Sequence, residues 1–296
     1  MTIYTHAESN IRKTWVLITL FLIFIIGLGW VFSQYFQNPS ILIYAVIFSL
    51  VMNIISFWYS DKIVLGITRA KPIEKRDNPE LYRIVENLCI TAGLPTPKIY
   101  ITPEAQPNAF ATGRDKDHAV IAVTRGLLEK LDKQELEGVI SHELSHVGNK
   151  DMLLMTVVVV LVGFVSLISD WFMRSLWWGG FRRRGGEEGQ AGSILALVGI
   201  ILAVISPIVA ILIQLAISRK REFLADATGA LLTRYPEGLA RALEKIAADK
   251  TLMKTASTAT AHLYIANPFK GKGFLTFFMT HPPIEDRIKA LREMEI

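Results

Sequence analysis

The sequence is poor in the residues that build many metal sites. It contains one cysteine, Cys89, and six histidines among 296 residues. A single cysteine cannot form an internal disulfide framework, and it excludes a zinc site built from several thiolates. Six histidines are also too few for a membrane di-iron oxidase of the desaturase type. Any metal is therefore expected to be bound by a few histidines together with carboxylates.

Charged residues make up 20% of the chain and hydrophobic residues 51%, which is more apolar than an ordinary soluble domain. This balance predicts a protein that is partly embedded in a membrane and partly globular. The net charge of +5 could indicate nucleic-acid binding, but the Lys and Arg residues cluster where apolar segments end. We interpret them as charges that flank a membrane, and we expect no nucleic-acid partner.

Four long apolar stretches occur in two pairs, at residues 14–32 and 41–59 and at residues 152–173 and 194–217. Each is long enough to cross a hydrocarbon core of about 30 Å. The first stretch could instead be a cleaved signal peptide, but another apolar stretch follows it at once. The first pair therefore predicts a transmembrane hairpin. The second pair predicts a hairpin that is either transmembrane or only embedded.

Basic residues give the orientation of these stretches. Arg12 and Lys13 precede the first pair, and further Lys and Arg residues follow it between positions 62 and 76. The positive-inside rule places both of these flanks in the cytoplasm. Arg174 and residues 182–184 oppose this topology, because they lie in the loop of the second pair. The depth of the second hairpin stays open, but the segments outside the pairs are cytoplasmic in either case.

We therefore predict an α+β, mostly α, integral membrane protein with four parts. These are a transmembrane hairpin (1–62), the first part of a cytoplasmic domain (63–151), a second hairpin (152–218) and the second part of the domain (219–296). Alternating apolar residues and turn signals predict a small β-sheet within the first cytoplasmic part, from residues 98–101, 109–112 and 119–124.

Capping signals predict two helices in the same part. Asn78 and Pro79 are typical of the beginning of a helix, which the apolar spacing extends to residue 92. Asp132 is followed three residues later by Glu135, which is a capping-box pattern, and Gly148 is a typical helix end.

The most informative motif, His142-Glu143-Leu144-Ser145-His146, lies on this second helix. Residues four apart share one face of a helix, so both imidazoles can reach one metal ion while Glu143 lies beside them. The motif predicts a zinc hydrolase in which Glu143 is the catalytic base. The alternative is an exposed helix whose two histidines have no function.

A catalytic zinc usually takes three protein ligands. The longer motif with a third histidine is absent, because Asn149 and Met152 occupy the positions of its glycine and histidine. Glu222 and Asp226 follow the fourth apolar stretch and share a helical face. We expect Glu222 to be the third ligand and Asp226 to accept a hydrogen bond from a ligand imidazole.

Two alternatives to this ligand set stay open. The two acidic residues could simply pair with the basic residues 219–221 on a solvated helix. His262 or His281 could be the third ligand, although each stands alone in the sequence. In every case, the ligand helices adjoin the second apolar pair, so the metal site is expected close to the membrane surface.

Four segments together resemble a known family. They are residues 108–113, 141–151, 221–226 and 278–283. Along them the chain is similar to the HtpX heat-shock membrane proteases, a branch of the membrane gluzincins related to the CAAX prenyl proteases. The resemblance implies that His142, His146 and Glu222 bind one zinc ion per chain and that Glu143 is the base. It also implies degradation of damaged or misassembled membrane proteins at the bacterial inner membrane during stress.

Two further roles concern the bound substrate. By resemblance, His281 is a candidate to stabilise the oxyanion, although the prolines after it equally suggest a turn. An extended peptide could pair with the edge of the sheet at one strand, and this recognition tolerates many sequences. The residues of that strand are Asn108, Ala109, Phe110, Ala111 and Thr112. The alternative is an interior strand without a free edge.

The sequence thus predicts a multi-pass zinc endopeptidase with a cytoplasmic catalytic domain. Its expected partners are the lipid bilayer and protein substrates, chiefly membrane proteins. One alternative is a protease that processes prenylated proteins, but the larger set of membrane spans expected of it is missing. The other is a non-catalytic membrane protein whose zinc is structural or transported; it would have a closed site with four protein ligands.

Overall fold

The computed structural model describes residues 3–35, 37–177, 219–257, 259–269 and 282–294. The predicted fourth apolar stretch and His281 lie outside the described residues, as do the arginines at 182–184.

The first two helices are α1 (Ile3–Tyr35) and α2 (Ser40–Trp58). Within them, Glu8–Gln34 and Ser40–Trp58 are long and apolar enough to cross a membrane. Trp15, in the N-terminal half of α1, stacks on Phe57, near the end of α2, with ring centroids 5.9 Å apart. The two helices are therefore antiparallel, as predicted for a hairpin.

Helix α1 is longer than the predicted span. It begins at Ile3 rather than at residue 14 and contains 33 residues. At 1.5 Å per residue it is about 50 Å long, whereas a hydrocarbon core is about 30 Å thick. The additional turns at its N-terminus carry polar side chains, and one of them contacts the site described below.

The remaining helices and strands lie in two parts of the chain. The first part contains α3 (Ser60–Ile67), β1 (Lys71–Pro72), α4 (Pro79–Ala92), β2 (Lys98–Thr102), β3 (Ala109–Thr112), β4 (Val120–Thr124), α5 (Arg125–Lys130), α6 (Lys133–Gly148) and α7 (Asp151–Trp177). The second part contains α8 (Arg219–Thr233), α9 (Pro236–Ala248) and α10 (Ile284–Arg292). The mostly helical fold with a small sheet is the predicted fold class.

Local hydrogen bonds explain where the two predicted helices begin. The side chain of Asn78 accepts a hydrogen bond of 3.0 Å from the backbone N–H of Leu81 at the start of α4. At the start of α6, Asp132 accepts from the backbone of Glu135, and the Glu135 carboxylate accepts from the backbone of Asp132. This reciprocal pair is the predicted capping box.

The four strands form one sheet in the order β1-β2-β4-β3. Strands β3 and β4 are antiparallel, with Phe110 opposite Ala122, as predicted for a hairpin. Strands β2 and β4 are parallel, with Ile99 opposite Ile121. Strand β3 therefore lies at one edge of the sheet, next to α6. Residues from β2, β3 and β4 share one hydrophobic core with α4, α6 and α9.

The chain turns sharply between α6 and α7. The two helix axes differ by 85° across Asn149 and Lys150, and Lys150 has a left-handed φ of 56°. Helix α7 then runs in the same direction as α1, because Asn10 contacts Asp151 at one end and Phe21 contacts Phe164 farther along. The third predicted apolar stretch is thus a helix that begins beside the end of α6.

Candidate metal centre

Helices α6 and α8 approach each other closely at a glycine. A Cβ atom on Gly229 would lie 3.0 Å from the backbone nitrogen of His142. Glu222 precedes Gly229 by seven residues, which is about two helical turns, so both residues face α6. The close approach therefore brings the carboxylate of Glu222 to the histidine face of α6.

The three predicted ligands form one group. The Nε2 atoms of His142 and His146 are 3.2 Å apart. The two carboxylate oxygens of Glu222 lie 3.8 Å and 3.7 Å from these nitrogens. In a tetrahedral zinc site, ligand atoms at about 2.0–2.1 Å from the ion lie about 3.3 Å from one another. The group is therefore of a size that could hold one metal ion.

A buried aspartate orients each imidazole. The Nδ1 atom of His142 is 2.9 Å from Asp226, and the Nδ1 atom of His146 is 3.2 Å from Asp151. A carboxylate accepts the Nδ1–H, so the Nε2 lone pair of each ring is directed at the same point. The structure thus brings Asp226, a predicted site residue, beside His142. Asp151 was not predicted to have this role.

Burial and neighbouring charges shift the pKa values of His142, Glu143 and His146. Burial lowers the pKa of His142 to about 4, so this ring is neutral at pH 7. Burial alone would lower the pKa of His146 too, but the hydrogen bond to Asp151 and the nearby Glu222 raise it to about 9. A bound cation would replace that proton. Burial raises the pKa of Glu143 to about 7.

Glu143 lies between the three-residue group and the sheet. It is buried, and the backbone N–H of Ala111 in β3 donates a hydrogen bond to its carboxylate. Its Oε1 atom has no hydrogen-bond partner among the described residues. One oxygen of this carboxylate is thus oriented by the sheet, while the other is left for an additional group.

Arg287 is a member of the site that the sequence reasoning missed. It is completely buried and donates to both carboxylate oxygens of Asp226, at 2.8 Å and 2.7 Å, and to the carbonyl of Ile265. It occupies a core position of α10, because Ile284 and Leu291 share its helical face. A charged residue at a position where the apolar spacing of the helix predicts a core residue was the signal that could have identified Arg287.

The buried charges around the site do not balance. The carboxylates are Glu143, Asp151, Glu222 and Asp226, and the guanidinium groups are Arg221 and Arg287. Four negative and two positive charges leave a net charge of −2 when all of these groups are ionised and both imidazoles are neutral, the form in which they bind a metal. Buried charge of one sign is costly unless it is compensated. A divalent cation between the three ligands would supply that compensation.

The other predicted site residues have different positions. His262 is buried away from the group, with its Nε2 atom 3.0 Å from the carbonyl of Met155. His281 lies outside the described residues. The alternative in which Glu222 and Asp226 are on a solvated helix is wrong, because both are buried.

Strand β3 is an edge strand, as required for pairing with a peptide, but its edge is buried. Asn108 bonds to β4 through its carbonyl, so Ala109 and Ala111 turn their backbone groups away from the sheet. The carbonyl of Ala109 already accepts a hydrogen bond from the backbone of Ile265. The side chain of Asn108 fixes the same segment through Ala266. The role of this strand in substrate binding stays a prediction.

Comparison with known proteins assigns the chain to a family. Residues 75–295 match the model of peptidase family M48. The chain belongs to peptidase family M48. It is 48% identical to a protein named protease HtpX homolog from Caldanaerobacter subterraneus subsp. tengcongensis, over 100% of this chain and 99% of that protein. It is also 48% identical to a protein of the same name from Thermococcus sibiricus, over 95% of this chain and 96% of that protein.

A solved structure is also similar to this M48 peptidase. The crystal structure of S. mikatae Ste24p matches with a TM-score of 0.49 and 18% identity, over 97% of this chain and 67% of that one.

These findings confirm the predicted resemblance to the HtpX proteases. The M48 family and the full-length relatives identify the chain as a metalloprotease. Helices α1 and α2 give it the apolar segments of a membrane protein. A peptidase family favours a catalytic metal site over the alternative of a non-catalytic zinc-binding protein.

Proposed function

We propose that this M48 peptidase is a zinc-dependent endopeptidase of the bacterial inner membrane. In this proposal it cleaves damaged or misassembled membrane proteins on the cytoplasmic side during stress. The observation that carries the proposal is the grouping of His142, His146 and Glu222 within 4.8 Å of one another, with Glu143 beside them. Two histidines and a glutamate are the ligand set of several zinc peptidases.

We propose that His142, His146 and Glu222 bind the zinc ion. When bound, zinc acidifies water and polarises the carbonyl of a peptide bond. Asp226 and Asp151 keep the Nδ1 protons of the two imidazoles in place. The net charge of the surrounding buried groups is the second feature that favours a divalent ion at this point.

Glu143 is the proposed general base. Its pKa of about 7 suits a group that takes a proton from water and later gives it to the leaving amine nitrogen at neutral pH. The Ala111 N–H fixes one end of the carboxylate, and Oε1 is the atom that would exchange the proton. His281 stays our proposed stabiliser of the oxyanion.

Strand β3 is the proposed binding element for an extended peptide. Since Ile265 already occupies the carbonyl of Ala109, the substrate is expected to pair with the carbonyl of Ala111, the residue whose N–H contacts Glu143. Pairing at this end of the strand would place the scissile bond beside the base. Backbone pairing of this kind accepts many sequences, which suits the removal of damaged proteins.

The position of the metal group supports action at a membrane surface. Helix α7 begins five residues after His146, at Asp151, and leaves alongside α1. We propose that residues 63–151 and 219–296 form one cytoplasmic domain. Residues 1–62 and 152–218 are the two proposed membrane hairpins. Substrates would be cytoplasmic loops or extracted segments of membrane proteins.

The variant Glu143→Gln tests this function. In detergent-solubilised protein, we expect it to retain one zinc ion per chain, measured by elemental analysis, and to leave casein or a membrane-protein substrate uncut. The matched control is Glu137→Gln on the partly exposed side of α6, which should cleave at the wild-type rate. Unchanged proteolysis by Glu143→Gln would refute the assigned base. Wild-type protein without zinc would refute the metal site.

A further inference from the structure

One side chain of the membrane-anchor helix reaches the surroundings of the metal centre. Asn10 lies in the N-terminal turns of α1 and is buried. Its amide nitrogen donates to the carbonyl of Asn149, at 3.1 Å, and to the Oδ1 atom of Asp151, at 2.5 Å. Its amide oxygen accepts from Arg221, at 3.1 Å. A neutral amide thus uses both of its donors and its acceptor in one place.

The partners of Asn10 belong to the segments that carry the metal-binding group. Asn149 is the residue after the last turn of α6, three positions beyond His146. Asp151 begins α7, and its other oxygen lies 3.2 Å from the Nδ1 atom of His146. Arg221 directly precedes Glu222 on α8. Asn10 therefore connects the two ligand helices through a side chain that comes from a third.

The chemistry of this position requires an amide. Asp151 and the carbonyl of Asn149 both need donors, whereas Arg221 needs an acceptor. An aspartate at position 10 would place a second carboxylate against Asp151, and an alanine would leave three buried polar groups without this partner. General packing of α1 against α7 needs no such group, because apolar residues such as Leu17 and Phe21 supply it farther along.

We propose that Asn10 is a positioning residue of the metal centre. By holding Asp151 and Arg221, it fixes the ring of His146 and the start of the helix that carries Glu222. The proposal rests on the proposed function, because it takes His146 and Glu222 as ligands. It makes the first membrane helix part of the metal-binding unit, so that a displacement of α1 would change the coordination of the ion.

Zinc affinity of the full chain in detergent micelles tests this role. Competition with a chromophoric chelator should show weaker binding for Asn10→Ala, by up to about tenfold, because Asn10 acts through Asp151 and direct partners of ligand imidazoles typically contribute 10- to 100-fold. The visible spectrum of the cobalt-substituted protein should also shift, because the orientation of His146 would change. The matched control is Thr14→Val, one turn along α1, whose buried hydroxyl donates, within the part of the chain that the structure describes, only to the Asn10 carbonyl of its own helix.

The outcomes separate this inference from the function on which it rests. Wild-type protein that binds no zinc would refute both. Wild-type binding together with unchanged affinity and an unchanged cobalt spectrum in Asn10→Ala would refute only the role of Asn10. An equal loss in Thr14→Val would assign the effect to the packing of α1 and would also overturn it. If Asn10→Ala does not fold, Asn10→Ser, which keeps one hydroxyl donor and adds no charge, is measured in its place, and an unchanged zinc affinity would again refute the role of Asn10.

Discussion

The two histidines of the metal centre are supported unequally. On one side, His142 donates to Asp226, and the guanidinium of Arg287 donates two hydrogen bonds, of 2.7 and 2.8 Å, to that carboxylate. On the other side, His146 donates to Asp151, whose remaining oxygen accepts from a neutral amide of α1. The only guanidinium near Asp151 among the described residues is that of Arg221, at 3.7 Å.

This difference shows how the site divides between the globular part and the membrane helices. A bidentate pair between two charged groups is stronger than a hydrogen bond in which only the acceptor is charged, and it also fixes direction. The His142 side is therefore rigid and depends on the C-terminal helix. The His146 side depends on weaker bonds at the junction of α1, α6 and α7. We expect substitutions on the His142 side to lower the stability of the whole fold. Substitutions on the His146 side are expected to weaken metal binding with less effect on stability.

Arg287→Ala should have the largest effect. It leaves the carboxylate of Asp226 buried without its cationic partner, and removing one member of a buried pair costs about 3–5 kcal/mol. We expect the free energy of unfolding, measured by urea titration in detergent, to fall by this amount in the metal-free protein. Zinc affinity should fall as well, since Asp226 would no longer fix His142.

The matched control for this prediction is Arg292→Ala on the same helix. Arg292 pairs with Glu237 and Glu244 at the surface, where the solvent weakens such interactions. Its removal should change neither stability nor zinc affinity measurably. Equal losses of stability and zinc affinity in the two variants would contradict the prediction. They would mean that the buried pair of Arg287 with Asp226 contributes no more than the surface pairs of Arg292.

Replacing each aspartate by asparagine should rank the two sides directly. Asp226→Asn should weaken zinc binding by up to about 100-fold, and Asp151→Asn by about 10-fold. The first substitution removes a carboxylate that Arg287 contacts at 2.7 Å, whereas the second removes one that lies 3.7 Å from Arg221. Chelator competition measures both values under one set of conditions. A larger loss for Asp151→Asn would reverse the comparison.

Local signals made part of this site predictable. The capping box at Asp132 and the spacing of His142 and His146 involve residues three and four apart, so the sequence alone places them on one helix. Glu222 and Asp226 were found in the same way, because their spacing predicted a shared face. Their presence beside α6 followed from the chemistry of zinc, which needs a third ligand.

The supporting residues could not be found by spacing. Arg287 is 61 residues from Asp226, and Asn10 is 141 residues from Asp151. Contacts across such separations depend on how the helices pack, and the sequence pattern of one helix contains no information on its neighbour. The length of α1 was missed for a related reason. Apolar periodicity marks the part that crosses a membrane, but a helix continues as long as its backbone and its tertiary contacts permit.

Gly229→Ala should have the smallest effect and tests the packing behind His142. The added methyl group would lie 3.0 Å from the backbone nitrogen of His142 and equally close to the hydroxyl of Ser141. Helix α8 must then move away from α6, which should cost about 1 kcal/mol of stability and also displace Glu222. The control is Gly66→Ala in α3, where nothing lies within 4 Å of the new atom and where alanine favours the helix by up to about 1 kcal/mol. Urea unfolding of both variants should show opposite signs, and zinc affinity should fall only for Gly229→Ala. Wild-type affinity in Gly229→Ala would show that the ligand helices tolerate a wider separation than the rigid His142 side implies.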